Sequence, residues 1–157
     1  MFITLLGWEL LGRRKAAFEA LREAMEGECA RVGERVLASP HNPISMALSL
    51  GGLTGGDDRK ATQLGSMLFS RGVSGARVVP TSAVEEINCV TFKGFGSHTE
   101  VYPHGPYLTV AAAVGMTLGD VEVFAQRLQR TLQDFQKWCA VHHHHDTTTA
   151  AKNTAKS

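Results

Sequence analysis

Six apolar residues, Phe18, Leu21, Met25, Cys29, Val32 and Val36, recur at intervals of 3, 4, 4, 3 and 4. A helix carries such a set on one face, and Arg22, Glu23, Glu26 and Arg31 fall on the other. The pattern predicts a long amphipathic helix that frays near Gly33. The period then shortens to two. Pro40 and Pro43 mark a turn, and Ile44, Met46, Leu48 and Leu50 alternate with Ser45, Ala47 and Ser49, as in a half-buried strand. "GGLTGGDD" reads as a glycine loop leading into a helix from Asp58 to Phe69, with Ala61, Leu64 and Leu68 on one face and an acidic start that suits the helix dipole.

Two stretches rich in β-branched and aromatic residues, "ARVV" and "INCVTFKGF", predict strands, and "GSHTEVYPHGP" predicts a loop. "YLTVAAAVGM" reads as helical. In "TLGD", Thr117 stands where an N-cap belongs and Asp120 follows three residues later, a capping-box start. The helix it opens carries Val121, Phe124, Leu128, Leu132, Phe135 and Cys139 on one face. The last stretch, "HHHHDTTTAAKNTAKS", is polar and low in complexity, which predicts a disordered tail. This order of elements predicts the α+β class, with helices packed on a short, mostly antiparallel sheet.

With 157 residues, 43% of them hydrophobic, the chain can build one core, and 20% charged residues is too ordinary for global disorder. A formal charge of +1 means that any affinity for nucleic acid must come from local clustering. Cys29, Cys89 and Cys139 lie 50 or more residues apart, without metal or redox spacing, which suits reduced thiols in a cytoplasmic protein. Glu9 interrupts the opening apolar run, so it reads as neither a signal peptide nor a membrane span.

Candidate chemistry is sparse. His98 and His104 flank a Tyr-Pro bend and could move protons, but no serine or cysteine has the local signature of a triad. The run His142 to His145 lacks an acidic or thiol partner at a fixed offset, which argues against a metal site. "GGLTGGDD" lacks the G-K-[ST] ending of a phosphate loop and places two aspartates where an anion would sit. The basic side chains are more informative. Arg127, Arg130 and Lys137 lie close to one solvent face of the last helix, and Arg71 and Arg77 flank a Gly-Val-Ser-Gly-Ala bend. Guanidinium groups fixed near glycines can contact a phosphate or a guanine edge.

"SPHNPISMALSL", "TQLGSMLFSRGVSGARVVP" and "TFKGFGSHTEVYP", in that order, resemble the C-terminal part of the O-phosphoseryl-tRNA:selenocysteinyl-tRNA synthase family, also called the soluble liver antigen family. The likeness runs from Ile3 through Lys137. It implies a small C-terminal domain of a fold-type I transferase dependent on pyridoxal 5'-phosphate, which converts O-phosphoseryl-tRNA to selenocysteinyl-tRNA with selenophosphate. It also implies a cytoplasmic homotetramer whose N-terminal catalytic domain is missing from this chain. The expected organisation is a connecting helical segment over 1–38, a tRNA-contacting α+β domain over 39–140 and a tail over 141–157.

By the same resemblance, Arg71 matches the arginine that reads the discriminator base of selenocysteine tRNA, and Lys137 the lysine that contacts the backbone of the acceptor-TΨC arm. Arg77, Arg127 and Arg130 are tRNA-binding candidates by position only. None of Lys15, Lys60, Lys93, Lys137, Lys152 and Lys156 sits in the family's cofactor motif, so this chain alone is expected to bind no pyridoxal phosphate and to be inactive. Two alternatives remain: a non-catalytic tRNA-binding or assembly module derived from that enzyme, and an unrelated α+β domain with a metal-binding tail.

Overall fold

In a computed structural model of the chain, the first helix, α1, runs from Phe2 to Val32. The structure describes the backbone of residues 2–97 and 104–153, and side chains over residues 7–97 and 104–142. The face predicted for α1 is the one that packs: Phe18, Leu21, Met25 and Cys29 are buried. Gly33 closes the helix with a left-handed φ of 73°, and the Glu34 N–H returns to the Cys29 carbonyl at 2.9 Å. Val36 therefore leaves the helical face expected for it and forms an antiparallel bridge to Leu48.

The predicted first strand is β1, Ser45–Ser49, with Met46 and Leu48 buried. Glycine content suggested only a loop after it, but Gly51–Thr54 forms a short helical turn, α2, closed by Gly55 at φ 64°. α3 spans Asp58–Ser70, its N-cap Asp57 accepting from the Arg59 N–H at 2.8 Å. β2 is Arg77–Val79. The stretch "INCVTFKGF", expected to be a single strand, is split: β3 is Val84–Ile87, β4 is Val90–Lys93, and Asn88 and Cys89 turn between them with φ of 51° and 63°. Two consecutive left-handed residues match the right-handed twist of a two-residue hairpin, and Asn tolerates that conformation better than most side chains.

The expectation for "YLTVAAAVGM" is overturned. Tyr107–Ala111 is a strand, β5, and it is the centre of a three-stranded antiparallel sheet ordered β1-β5-β2. Alanine has the highest intrinsic helix propensity, but propensity yields to tertiary context, and this segment satisfies the backbone groups of strands on both sides. Register places Leu48, Leu108 and Val78 side by side, with Met46 opposite Val110, on the face that the helices cover. The structure is thus of the expected α+β class, helices on a small antiparallel sheet, with β3 and β4 as a separate exposed hairpin.

α4 begins at Leu118, where the capping box forms as predicted: the Asp120 N–H donates to Thr117 Oγ1 at 3.2 Å and the Thr117 N–H donates to Asp120 Oδ2 at 2.9 Å. Its apolar stripe buries Leu128, Leu132 and Phe135 between α1 and α3. The helix continues to Asn153, in contrast to the disordered tail expected from composition. Nothing between Asp120 and Asn153 is a glycine or proline, so no residue in that span breaks the helical hydrogen-bond ladder. No helix among the described residues is long and apolar enough to cross a membrane.

Candidate nucleic-acid interface

The end of α3 fixes the position of Arg71. Gly72 takes φ 74°, its N–H returns to the Phe69 carbonyl at 2.9 Å, and the Val73 N–H reaches the Leu68 carbonyl at 3.0 Å. This pair of bonds is a Schellman motif, and it stops the helix with Arg71 as its last, C-cap residue. Val73 then folds into the core beside Leu68. The bend read from the sequence is therefore a helix terminus that aims a guanidinium outward.

Opposite it stands the polar face of α4, where Arg127, Arg130, Asp134 and Lys137 succeed one another at intervals of 3, 4 and 3. Arg127 Nη1 donates to the Gly72 carbonyl at 2.9 Å. Arg71 Nη2 donates to Asp134 Oδ2 at 2.7 Å while its Nη1 donates to the Met67 carbonyl at 3.2 Å. Lys137 Nζ lies 3.3 Å from the other oxygen of Asp134. The two residues singled out by resemblance, 66 positions apart, thus share one carboxylate. Lys137, foremost, and then Arg71 hold the Asp134 carboxyl below the usual carboxylate range.

This arrangement presents four cations and one carboxylate. The Arg71 side chain is 30% exposed and that of Lys137 77%. Arg71 is thereby oriented but not consumed, since a guanidinium has five N–H donors and the protein engages only some of them. Lys137, though paired to Asp134, and Arg130 are both exposed. Arg77 is not part of this carboxylate-centred group: it opens β2 and donates from Nη2 to the Gly96 carbonyl at 3.2 Å. Asp134 is the site residue that sequence reasoning missed. Its signal was an acid inside a basic stripe, three residues before Lys137.

The other candidates do not assemble a reactive centre. His98 lies outside the described residues. His104 lines a cavity of about 290 Å³ with Gly33, Glu34, Arg35 and Ser49. The Glu34 carboxylate in that cavity accepts from Ser49 Oγ at 2.5 Å and from the Leu53 N–H at 2.7 Å, so it serves the fold. His142 belongs to α4, stacked on Trp138 at 4.5 Å. Among the described residues no three metal-ligating side chains cluster. Lys15, Lys93 and Lys137 are exposed and Lys60 is half-buried, so none of these four is the enclosed amine that pyridoxal phosphate requires; the side chains of Lys152 and Lys156 lie outside the described residues.

Comparison with known proteins bears on what this geometry serves. The family model described as O-phosphoseryl-tRNA(Sec) selenium transferase, SepSecS, matches residues 6–133. The transferase of Caenorhabditis elegans is 37% identical over 128 residues, covering 81% of this chain and 26% of that protein. That of Dictyostelium discoideum is 32% identical over 151 residues, covering 83% of this chain and 31% of that protein. The crystal structure of an archaeal O-phosphoseryl-tRNA(Sec) selenium transferase superposes with a TM-score of 0.61 at 18% identity, over 78% of this chain and 24% of that one, which supports the fold. The chain therefore spans about a quarter to a third of the length of these relatives, and by the match across most of its residues it belongs to the O-phosphoseryl-tRNA(Sec) selenium transferase family.

Proposed function

We propose that this chain is the part of a selenium transferase that recognises the acceptor arm of selenocysteine tRNA. The observation that carries this reading is the sharing of Asp134 by Arg71 and Lys137. Asp134 orients Arg71 toward a base edge, while Lys137, Arg127 and Arg130 lie along one helical face suited to a phosphate track. Arg77 is a peripheral contact at most. Base-edge contacts discriminate among sequences, whereas phosphate contacts add affinity that is uniform and salt-sensitive.

In the whole enzyme, pyridoxal phosphate supplies the electron sink for replacing phosphate by selenium. This chain contributes recognition, and alone it is catalytically inert, a reading supported by the exposure of Lys15, Lys93 and Lys137 and the partial exposure of Lys60. The same exposed lysines support the second reading, a tRNA-binding or assembly module that never performs catalysis. Assembly as a homotetramer and residence in the cytoplasm belong to the proposal on family grounds.

The test is binding of the chain to selenocysteine tRNA and to serine tRNA at two salt concentrations. Arg71→Ala is expected to lower affinity by about 1–3 kcal/mol and to erase the preference between the two RNAs. Lys137→Ala is expected to weaken both equally and to flatten the salt dependence. Equal binding of both tRNAs by the unmodified chain would refute recognition by this domain.

A further inference from the structure

A second basic cluster lies on α1, and the function proposed above makes no use of it. Leu11, Arg14, Lys15, Phe18 and Arg22 share one stripe of the helix, Arg22 lying over the Phe18 ring and not on the opposite face predicted for it, and with Pro40, Asn42 and Pro43 of the turn before β1 they wall a cavity of about 460 Å³. Arg14 and Lys15 have no ion pair or hydrogen-bond partner for their side chains among the described residues. Among the described residues, Arg22 is held only by its stacking over the Phe18 ring, 5.1 Å from the centroid. Glu19 also lines the cavity but comes within ion-pairing distance of none of the three.

Two buried side-chain polar atoms among the described residues lack a partner, Arg14 Nε and Ser39 Oγ. Of the two, Arg14 lines this cavity. Buried polar groups in folded proteins are nearly always satisfied, and an unsatisfied one calls for an absent water or ion. A guanidinium N–H can only donate, so what Arg14 lacks is an acceptor. Three cations lining one cavity select an anion, and the planar guanidinium fork selects one with paired oxygens. Leu11, Phe18, Pro40 and Pro43 supply an apolar floor for whatever the anion is attached to.

We infer that the cavity between α1 and the 39–43 turn is a phosphate-binding site, formed by Arg14, Lys15 and Arg22. The chemistry fits the phosphodiester of an RNA backbone and a free phosphate equally, and the experiment separates them. The full chain is titrated calorimetrically at low salt with inorganic phosphate and, separately, with a 12-base-pair RNA duplex. The titrations are repeated with Arg14→Gln/Arg22→Gln, with the exposed-site variant Lys15→Gln, and with Lys93→Gln, on the separate β3–β4 hairpin, as a control. Circular dichroism checks that each variant folds.

The expected result is phosphate binding that weakens at least tenfold in the double variant, weakens less in Lys15→Gln and is unchanged in Lys93→Gln. RNA binding that also weakens in the double variant identifies the ligand as backbone phosphodiester; RNA binding that does not identifies it as a free phosphate. Phosphate binding with no RNA binding would sink the tRNA reading and leave this site standing. Absence of phosphate binding together with RNA affinity indifferent to Arg14 and Arg22, or phosphate binding unchanged in both cavity variants, overturns the inference.

Discussion

Gly72→Ala isolates the link between the end of α3 and the basic face of α4. Residue 72 has φ 74°, a conformation that places a Cβ against the following carbonyl and costs about 1–2 kcal/mol for a residue other than glycine. A Cβ there would also stand 3.0 Å from Arg127 Nη1. That atom is the tip of a flexible side chain, so Arg127 moves aside and adds little to the loss of stability. It does, however, lose its seat on the Gly72 carbonyl. Gly55, at φ 64° with nothing within 4 Å of a Cβ, provides the matched control. Both variants are expected to lower the melting temperature by about 2–8 °C, the range corresponding to about 1–2 kcal/mol in a domain of this size. Only Gly72→Ala is expected to weaken tRNA binding, by releasing Arg127 from its place beside Arg71. Thermal denaturation and a filter-binding or anisotropy titration of both variants read the two effects separately. A thermally neutral Gly72→Ala would refute the left-handed helix stop, and equal tRNA losses in both variants would refute the role given to Arg127.

Asp134→Asn is expected to raise affinity for both tRNAs, because it removes the one carboxylate among four cations, while narrowing the preference between them as Arg71 loses its anchor. Since the Asp134 pKa is lowered on folding, its contribution to stability is complete above the unfolded carboxylate value near 4 and fades as pH falls through the lower folded value. Carbon NMR titration is expected to place the Asp134 midpoint below that of an ordinary aspartate and to raise it in Lys137→Ala and Arg71→Ala; a midpoint unmoved by either change would contradict the shared carboxylate. Thiol alkylation of the native chain at pH 8 is expected to modify Cys89, exposed at the hairpin turn, and to spare Cys29 and Cys139 until the chain unfolds. Burial first, and then Glu34, pushes the Cys29 thiol up to about 12, and burial raises that of Cys139. Equal labelling of all three cysteines would count against the packing of α1 and α4.

Much of the architecture was written locally. The apolar intervals of α1 and α4 and the Thr117–Asp120 capping box are properties of a few neighbouring residues and appear as the pattern predicted, except that Val36 leaves the α1 face. In β1, Met46 and Leu48 are buried as the alternation required, but Ser49 is buried too, and Ile44, just before the strand, is exposed. Periodicity survives tertiary context because burying that one face is what the rest of the fold requires. β5 shows the opposite case. Ala111 and the two alanines that follow it lean toward helix, and the strand forms because β1 and β2 leave unpaired backbone on either side of it, information that lies about 60 and about 30 residues away in the chain. The hairpin of β3 and β4 was half legible: its strand-forming residues were plain, but the Asn-Cys turn lacks the glycine that would have announced it.

The candidate site divides the same way. Sequence alone, through its resemblance to a family, singled out Arg71 and Lys137, and the spacing of the last helix placed Arg127, Arg130 and Lys137 on one face. Only the tertiary structure brings Arg71 to that face, through a helix stop at Gly72, and only it reveals Asp134 as the group that holds Arg71 and Lys137 together. It likewise shows Arg77 bound to the Gly96 carbonyl and not to the carboxylate. The reason is physical: a face of one helix is a matter of angular period, which a sequence displays, whereas the meeting of two helices depends on packing between segments whose separation along the chain carries no record of their distance in space.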